Sequence, residues 1–175
     1  VKSIDGVDVR GKRVFVRVDF NVPIERGKVA DPTRIARVLP TITKLAREGA
    51  KVIVLSHLGR PKGVTSPETS LKPVADKMKE LMGGIPVRFI GDCIGEEARS
   101  GLATLGPGEV AVLQNVRFYP GEEKNDPNFA RRLAEHGDIY VDDAFSSAHR
   151  AHASIDAITR FLPSYAGLLM MAEIN

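Results

Sequence analysis

The sequence predicts a doubly wound α/β domain, Rossmann-like, with a mostly parallel sheet flanked by helices. Three observations predict it. Five short runs rich in β-branched residues are almost continuously apolar, the pattern of strands buried on both faces. Stretches of helical period separate them, so strand and helix alternate along the chain. The length, 175 residues, suits one domain with a sizeable core.

The first strand is expected in RVFVRV (13–18). The helix after it, PTRIARVLPTITKLAREG (32–49), starts behind Asp31 with Pro32 at its first position and stops at Gly49. Pro40 lies inside it and is expected to kink or split it, because proline removes a backbone donor and crowds the preceding turn. KVIVLS (51–56) is the second strand, and SLKPVADKMKELMGG (70–84) a helix from a Ser70 cap to Gly83. VRFI (87–90) is the third strand, followed by a helix in GEEARSGLATLG (95–106) that Gly101 interrupts. EVAVLQ (109–114) is the fourth. DPNFARRLAEHG (126–137) has Asp126 as N-cap, Pro127 behind it, and Gly137 as a stop; His136 is expected to bond the last carbonyls. DIYVDD (138–143) is the fifth strand. The tail FLPSYAGLLMMAEIN (161–175) is apolar and ends without a cap, which reads as a chain cut from a longer one.

Composition is ordinary for a globular protein, 43% hydrophobic and 27% charged. The single Cys93 rules out an internal disulfide and leans towards a reducing, cytoplasmic setting. VKSIDGVDVR lacks the apolar run of a secretory signal. No apolar run approaches the roughly 18–20 residues of a bilayer span, so no membrane partner is expected. A net charge of +3 is a weak argument for a polyanion partner; where the basic residues fall matters more.

In open parallel sheets, ligands bind beyond the carboxyl ends of the strands. The segment after the first strand carries Arg17, Asp19 and Asn21; the second delivers His57, Arg60 and Lys62. The fourth delivers Arg117 and the fifth Arg150, while GDCIGEE after the third is neutral to acidic. Arg34, in the first helical turn behind Asp31, lies near the same rim, against the helix dipole unless an anion sits beside it. Guanidinium forks match phosphate and carboxylate, so several converging arginines suit a small, multiply charged anion. Asp19 and Asn21 can accept bonds from ligand hydroxyls, which arginine cannot. Taken singly, Arg17 or Lys62 reads as a solvated or ion-paired residue. The shared rim sets Arg34, His57, Arg60, Arg117 and Arg150 apart. Asp142 and Asp143 read as caps or ion-pair partners.

Four other motifs fail. GVDVRGKR (6–13) imitates a phosphate loop, but Arg13 stands where a Ser or Thr would hold magnesium, and the run precedes a strand. No GxGxxG comes after the first strand. His149 and His152 share a spacing a metal could use but lack a cluster of further ligands, and Ser146 and Ser147 lack a nucleophile elbow. The two histidines read as supports of their loop.

RVFVRVDFNVP, DPTRI, SHLGRPKG, NVRFYPGEEKNDP and DDAFSSAHRAHAS, in that order, resemble the N-terminal domain of the phosphoglycerate kinase family over nearly the whole chain. The resemblance implies that residues 1–175 form a single substrate-binding domain of a two-domain kinase whose nucleotide-binding C-terminal domain is absent. It implies binding of 3-phosphoglycerate or 1,3-bisphosphoglycerate, and, in the full-length enzyme, reversible phosphoryl transfer between 1,3-bisphosphoglycerate and ADP in glycolysis. By motif, Asp19 and Asn21 would meet the substrate's hydroxyl region, while Arg60, Arg117 and Arg150 would grip its phosphate. Arg34 and His57 would sit at the carboxyl end, with Arg34 the catalytic residue that stabilises the phosphoryl group in flight. Phe20, Leu58 and Gly59 belong to the same substrate-binding motifs. Magnesium-bound ATP or ADP would be held by the missing domain, with no cofactor or metal in this chain. The expected partners are the substrate and that domain, with no nucleic acid, in a monomer.

In such a kinase two domains close on each other, so this chain alone is expected to bind substrate weakly and not turn over. Two positions depart from the family pattern, Gln114 for Glu and Asp142 for Asn, which puts local hydrogen bonding in question. The alternatives are a nucleic-acid-binding α/β domain using the basic rim, for which few aromatics are at hand, and a non-catalytic folding unit.

Overall fold

The computed structural model describes residues 2–175. In chain order its elements are β1 (Arg13–Arg17), a hairpin of β2 (Ile24–Glu25) and β3 (Lys28–Val29), α1 (Thr33–Arg47) and β4 (Lys51–Leu55). Next come α2 (Lys72–Leu81), β5 (Val87–Ile90), α3 (Gly95–Ala103), β6 (Val110–Leu113) and a one-turn α4 (Pro120–Glu123). The chain closes with α5 (Pro127–Ala134), β7 (Ile139–Asp142), β8 (Ser164–Ala166) and α6 (Leu168–Ile174).

Six strands form one sheet in the order β5-β6-β4-β1-β7-β8, and every pairing in it is parallel. The alternation of each strand splits the core into two layers. Val14, Val16, Val52 and Val54 pack with Ile35, Val38, Ile42 and Leu45 of α1 and Val74 and Met78 of α2. Phe15, Ile53, Leu113 and Tyr140 face the other way, onto Phe129, Ala130 and Leu133 of α5. Helices on both faces make the domain doubly wound. The chain leaves β1 through α1 towards β4, and returns on its other side through α5 to β7. The crevice at the carboxyl end of β1 is therefore the switch point, where ligands bind in such sheets.

Pro40 does not split α1, which is one helix of 15 residues. Its buried side chains, Ile35 and Val38 before the proline and Thr41, Ile42 and Leu45 after it, hold both halves on one face of the sheet. That burial offsets a cost of about 3 kcal/mol for an interior proline. Asp31 caps α1 from one residue further out, its carboxylate accepting from the Thr33 N–H at 3.0 Å. α2 begins at Lys72, after a 3₁₀ turn at Pro67–Thr69, with the Ser70 hydroxyl accepting from the Lys72 N–H at 3.2 Å. α3 runs through Gly101, where the helix packs so closely on β5 that a Cβ would lie 2.8 Å from Ile90 Cδ1. Asp126 caps α5 as expected, accepting from the Asn128 N–H at 2.9 Å.

The expected role of His136 is corrected. The carbonyls of Arg131, Leu133 and Ala134 accept backbone N–H groups, and His136 Nε2 is buried with no partner among the described residues. The apolar tail contains two elements the sequence pattern does not reveal. β8 adds to the sheet beside β7, and its outer edge is covered by the segment at Lys2 to Ile4, which exchanges bonds of 2.8 and 2.9 Å with Ala166. α6 lies against α1, with Arg37 and Glu173 paired at 2.7 Å. Among the described residues, no helix is long and apolar enough to cross a membrane.

Candidate functional site

Two strand ends make the floor of the rim. Arg17 ends β1 and is fully buried. Its Nε donates to Ser154 Oγ at 2.8 Å, its Nη1 to the Val18 carbonyl, and its Nη2 lies 3.0 Å from His57 Nδ1. Glu122 Oε2 is 3.8 Å from that same Nη2. Arg17 is thus an interior residue with a counter-ion, not the surface arginine it reads as alone. The signal was available, since a charge within a strand buried on both faces requires a buried partner. Beyond β4, Ser56 ties the two strand ends together, its hydroxyl accepting from the Phe20 N–H and donating to the His57 carbonyl, both at 2.9 Å.

The loop from β1 reaches across to α1. Arg34 Nη1 stands 3.2 Å from both Asp19 oxygens and from the Asn21 carbonyl. Asp19 answers the cation at the helix start from within the chain, so a ligand is not needed for that purpose. Asp19 also accepts from the Asn21 N–H at 2.9 Å and from the Ser146 hydroxyl. Asn21 Oδ1 accepts from the Gly59 N–H at 2.8 Å, and the Gly59 carbonyl accepts from Arg117 Nη1 at 2.9 Å. One chain of bonds therefore runs Arg34, Asp19, Asn21, Gly59, Arg117 across the mouth of the crevice. Gly59 sits at φ 64°, a left-handed conformation that favours glycine.

Arg117 is 3% exposed, and its Nε and Nη2 have no partner among the described residues. Burial is the main influence that holds its pKa below the ordinary arginine value; Arg150 and Arg17 repel it further, while Glu123 and Glu122 oppose the shift. His57 feels the same field. Burial first, then Arg17 and Arg117, push its pKa down to about 3, and Arg150 adds to this against the attraction of Asp19. The ring is therefore neutral at ordinary pH. For Asp19, burial works to raise the pKa, but bonds from Ser146 and Asn21 and the charge of Arg34 help to lower it.

Arg34, Asp19, Asn21, Gly59 and Arg117 are joined directly, His57 is bonded to Arg17 behind them, and Arg150 lies close enough to perturb both His57 and Arg117. Arg60 is exposed on the loop after His57, with no hydrogen bond or ion pair to the others among the described residues. The Phe20 and Leu58 side chains are in the core, so these residues shape the rim through their backbone. Below Arg34 a cavity of about 170 Å³ is lined by Asp19, Arg37, Asp143, Phe145 and Ser146 among others.

Both departures from the family pattern are accommodated. Gln114 Oε1 accepts from the N–H groups of Leu71 and Asn115, at 2.9 and 3.0 Å, and its Nε2 donates to Ser70 Oγ at 2.9 Å. Asn115 then holds the Leu58 and Thr69 carbonyls through its Nδ2. Asp142 accepts from the Ala144 N–H at 3.0 Å, and burial raises its pKa against that bond and the charge of Arg17. Asp143 Oδ1 caps α6 through the Met170 N–H at 2.9 Å. His149 is exposed; the His152 carbonyl accepts from the N–H groups of Ile155 and Asp156 and turns the loop, while the His152 Nδ1 is buried with no partner among the described residues.

A family model described as phosphoglycerate kinase matches residues 4–175. The chain belongs to the phosphoglycerate kinase family. It is 55% identical over 171 residues to a phosphoglycerate kinase of Methylorubrum extorquens (strain PA1), covering 98% of this chain and 42% of the relative. One from Rhodospirillum centenum is 53% identical over 174 residues, with 99% and 44% covered. Among solved structures, the phosphoglycerate kinase of Coxiella burnetii superposes with a TM-score of 0.88 at 39% identity over 98% of this chain and 42% of that one. The Pyrococcus horikoshii enzyme gives 0.88 at 34% identity over 99% and 44%. The chain thus spans less than half the length of these family members.

Proposed function

We propose that this chain is the substrate-holding N-terminal domain of a phosphoglycerate kinase, residues 1–175 binding 3-phosphoglycerate and 1,3-bisphosphoglycerate at the carboxyl rim. The observation that carries the reading is Arg117. It is a buried cation with two N–H donors unpaired, set beside Arg150 and a neutral His57. Unpaired buried donors on a charged group are costly, and an anionic ligand removes that cost.

In this reading the substrate phosphate lies against Arg117, Arg150 and Arg60. Its entry moves the loop of Gly59 to Gly63, which rests on Arg117 through the Gly59 carbonyl and the Gly63 N–H. Asp19, held ionised, and Asn21 receive the substrate hydroxyl, with Phe20, Leu58 and Gly59 shaping that end. The carboxyl group points towards Arg34 and His57. A substrate carboxylate oxygen attacks the γ-phosphorus of ATP, the bond to the ADP oxygen breaks, and 1,3-bisphosphoglycerate forms; glycolytic flux runs this backwards. The chain's own contribution is positioning and charge, with Arg34 exchanging its bond to Asp19 for the phosphoryl group in transit. The remaining part of the protein brings the magnesium nucleotide and closes over the rim. The same reading assigns a monomer working in the cytoplasm.

Calorimetric titration with 3-phosphoglycerate, run beside an ATP-coupled assay, tests it. Saturable binding without turnover is expected from this chain. Turnover by the chain alone, or salt-sensitive binding of single-stranded RNA with none of 3-phosphoglycerate, would overturn it.

A further inference from the structure

Behind the rim, Arg17, Glu122 and Ser154 are 0% exposed and His57 is 2% exposed. They come from β1, α4, the loop after His152 and the loop after β4, and their hydrogen bonds can run only one way. Arginine has no acceptor, so Arg17 Nε donates to Ser154 Oγ at 2.8 Å and Nη2 donates to His57 Nδ1 at 3.0 Å. Ser154 Oγ therefore points its own proton at Glu122 Oε2, 2.7 Å away, while the Ser154 N–H donates to Oε1 at 2.8 Å. Both carboxylate oxygens are engaged by Ser154, and the Val18 carbonyl takes Nη1. Arg17 cannot turn away from the imidazole without breaking several buried bonds.

We propose that Glu122 and Ser154 are positioning residues that act through Arg17 to hold His57 as a neutral imidazole, its proton on Nε2 and offered to an oxygen of the bound substrate. Nδ1 accepts from Arg17, so a neutral ring must carry its proton on Nε2, and a second proton on Nδ1 would set two donors face to face. Nε2 has no partner among the described residues and is not among the sealed, unpaired atoms. The charged groups around the ring are Arg17, Arg117, Arg150 and Asp19. The excess positive charge argues the same way as the bond directions, because a cationic ring would add repulsion. The arginines supply attraction for an anion, and His57 supplies one directional bond. That bond distinguishes a ligand with a correctly placed hydroxyl or carboxylate oxygen from a bare phosphate. The inference rests on the glycerate-phosphate reading of the rim for its ligand, but the state of His57 does not.

Long-range 1H–15N NMR of the imidazole nitrogens in the free chain tests that state. Nε2 should be protonated and Nδ1 bare, unchanged down to about pH 5, where an ordinary histidine is charged. A proton on Nδ1, or a charged ring at neutral pH, overturns the proposal. Ser154→Ala and Glu122→Gln should let the ring populate both tautomers. Each should weaken 3-phosphoglycerate about tenfold, the loss of one good hydrogen bond, and inorganic phosphate by less than about threefold. Ser154→Ala is the milder change and serves if Glu122→Gln does not fold. A folded Ser154→Ala chain with an unchanged tautomer, or with equal losses for the two ligands, overturns the positioning role. If the expected tautomer is found in a chain that does not bind 3-phosphoglycerate, the function reading fails and the assignment of His57 stands.

Discussion

Arg117→Met separates what the rim does for binding from what it does for stability. The substitution keeps most of the buried stem and removes the guanidinium. The free chain loses the 2.9 Å bond to the Gly59 carbonyl, worth about 0.5–1.5 kcal/mol. It also sheds two buried, unpaired N–H groups, each costing about 1–3 kcal/mol. The free chain should therefore be more stable, by roughly 0.5–5 kcal/mol. Binding should move the other way. Two charge-assisted bonds to a phosphate contribute about 3–6 kcal/mol, so 3-phosphoglycerate should bind roughly a hundred- to ten-thousandfold more weakly. Urea denaturation without ligand measures the first quantity and calorimetric titration the second. A variant destabilised by more than about 2 kcal/mol, with affinity reduced less than about fivefold, would show that Arg117 serves the fold and would refute the reasoning.

His57→Gln should change the pH dependence of stability. The folded ring has a pKa of about 3, set mainly by burial, with Arg17 and Arg117 adding to it, against about 6.5 when unfolded. Between those values the unfolded chain takes up a proton that the folded chain refuses. Stability from this group is thus complete above about pH 6.5 and falls as pH drops towards 3, by up to about 1.4 kcal/mol per pH unit. Denaturation near pH 7 and pH 5 should show a shallower loss in the variant; parallel slopes would refute it. Gly101→Ala gains helix propensity of about 1 kcal/mol but puts a methyl group 2.8 Å from Ile90 Cδ1, and should destabilise by about 1–2 kcal/mol. Ile90→Val in the same chain should recover part of that, as thermal melts will report. Gln114→Glu should be neutral within about 0.5 kcal/mol. Both backbone donors keep their acceptor, and the Ser70 hydroxyl can reverse and donate.

Four of the five strands are legible because burial on both faces leaves an almost continuous apolar run, while β5, half-buried at Arg88 and Phe89 on the sheet edge, is legible from its place between two helical stretches. β8 is not legible: three residues behind Pro163, within an apolar tail, carry no period. Pro40 misleads, since local chemistry argues for a break and the packing of residues on both sides of it prevents one. The rim was legible from strand order alone, because a parallel sheet delivers the loop beyond each strand to one edge. The pairings within it were not. Arg34 and Asp19 are 15 residues apart across a hairpin, and Arg17 meets Glu122 and Ser154 only once β1, α4 and the last loop come together. The resemblance named the residues proposed to face the ligand, while the buried group behind His57 required the fold.

The central claim is that the carboxyl rim holds 3-phosphoglycerate, and backbone NMR during a titration with that compound tests it most directly. The account predicts saturable shifts at Asp19, Asn21, Arg34, His57, Gly59, Arg117 and Arg150, with the loop of Gly59 to Gly63 moving as Arg117 engages the phosphate. No shifts at saturating ligand, or shifts confined to the opposite edge of the sheet around Arg13, Lys51, Arg99 and His136, would contradict it.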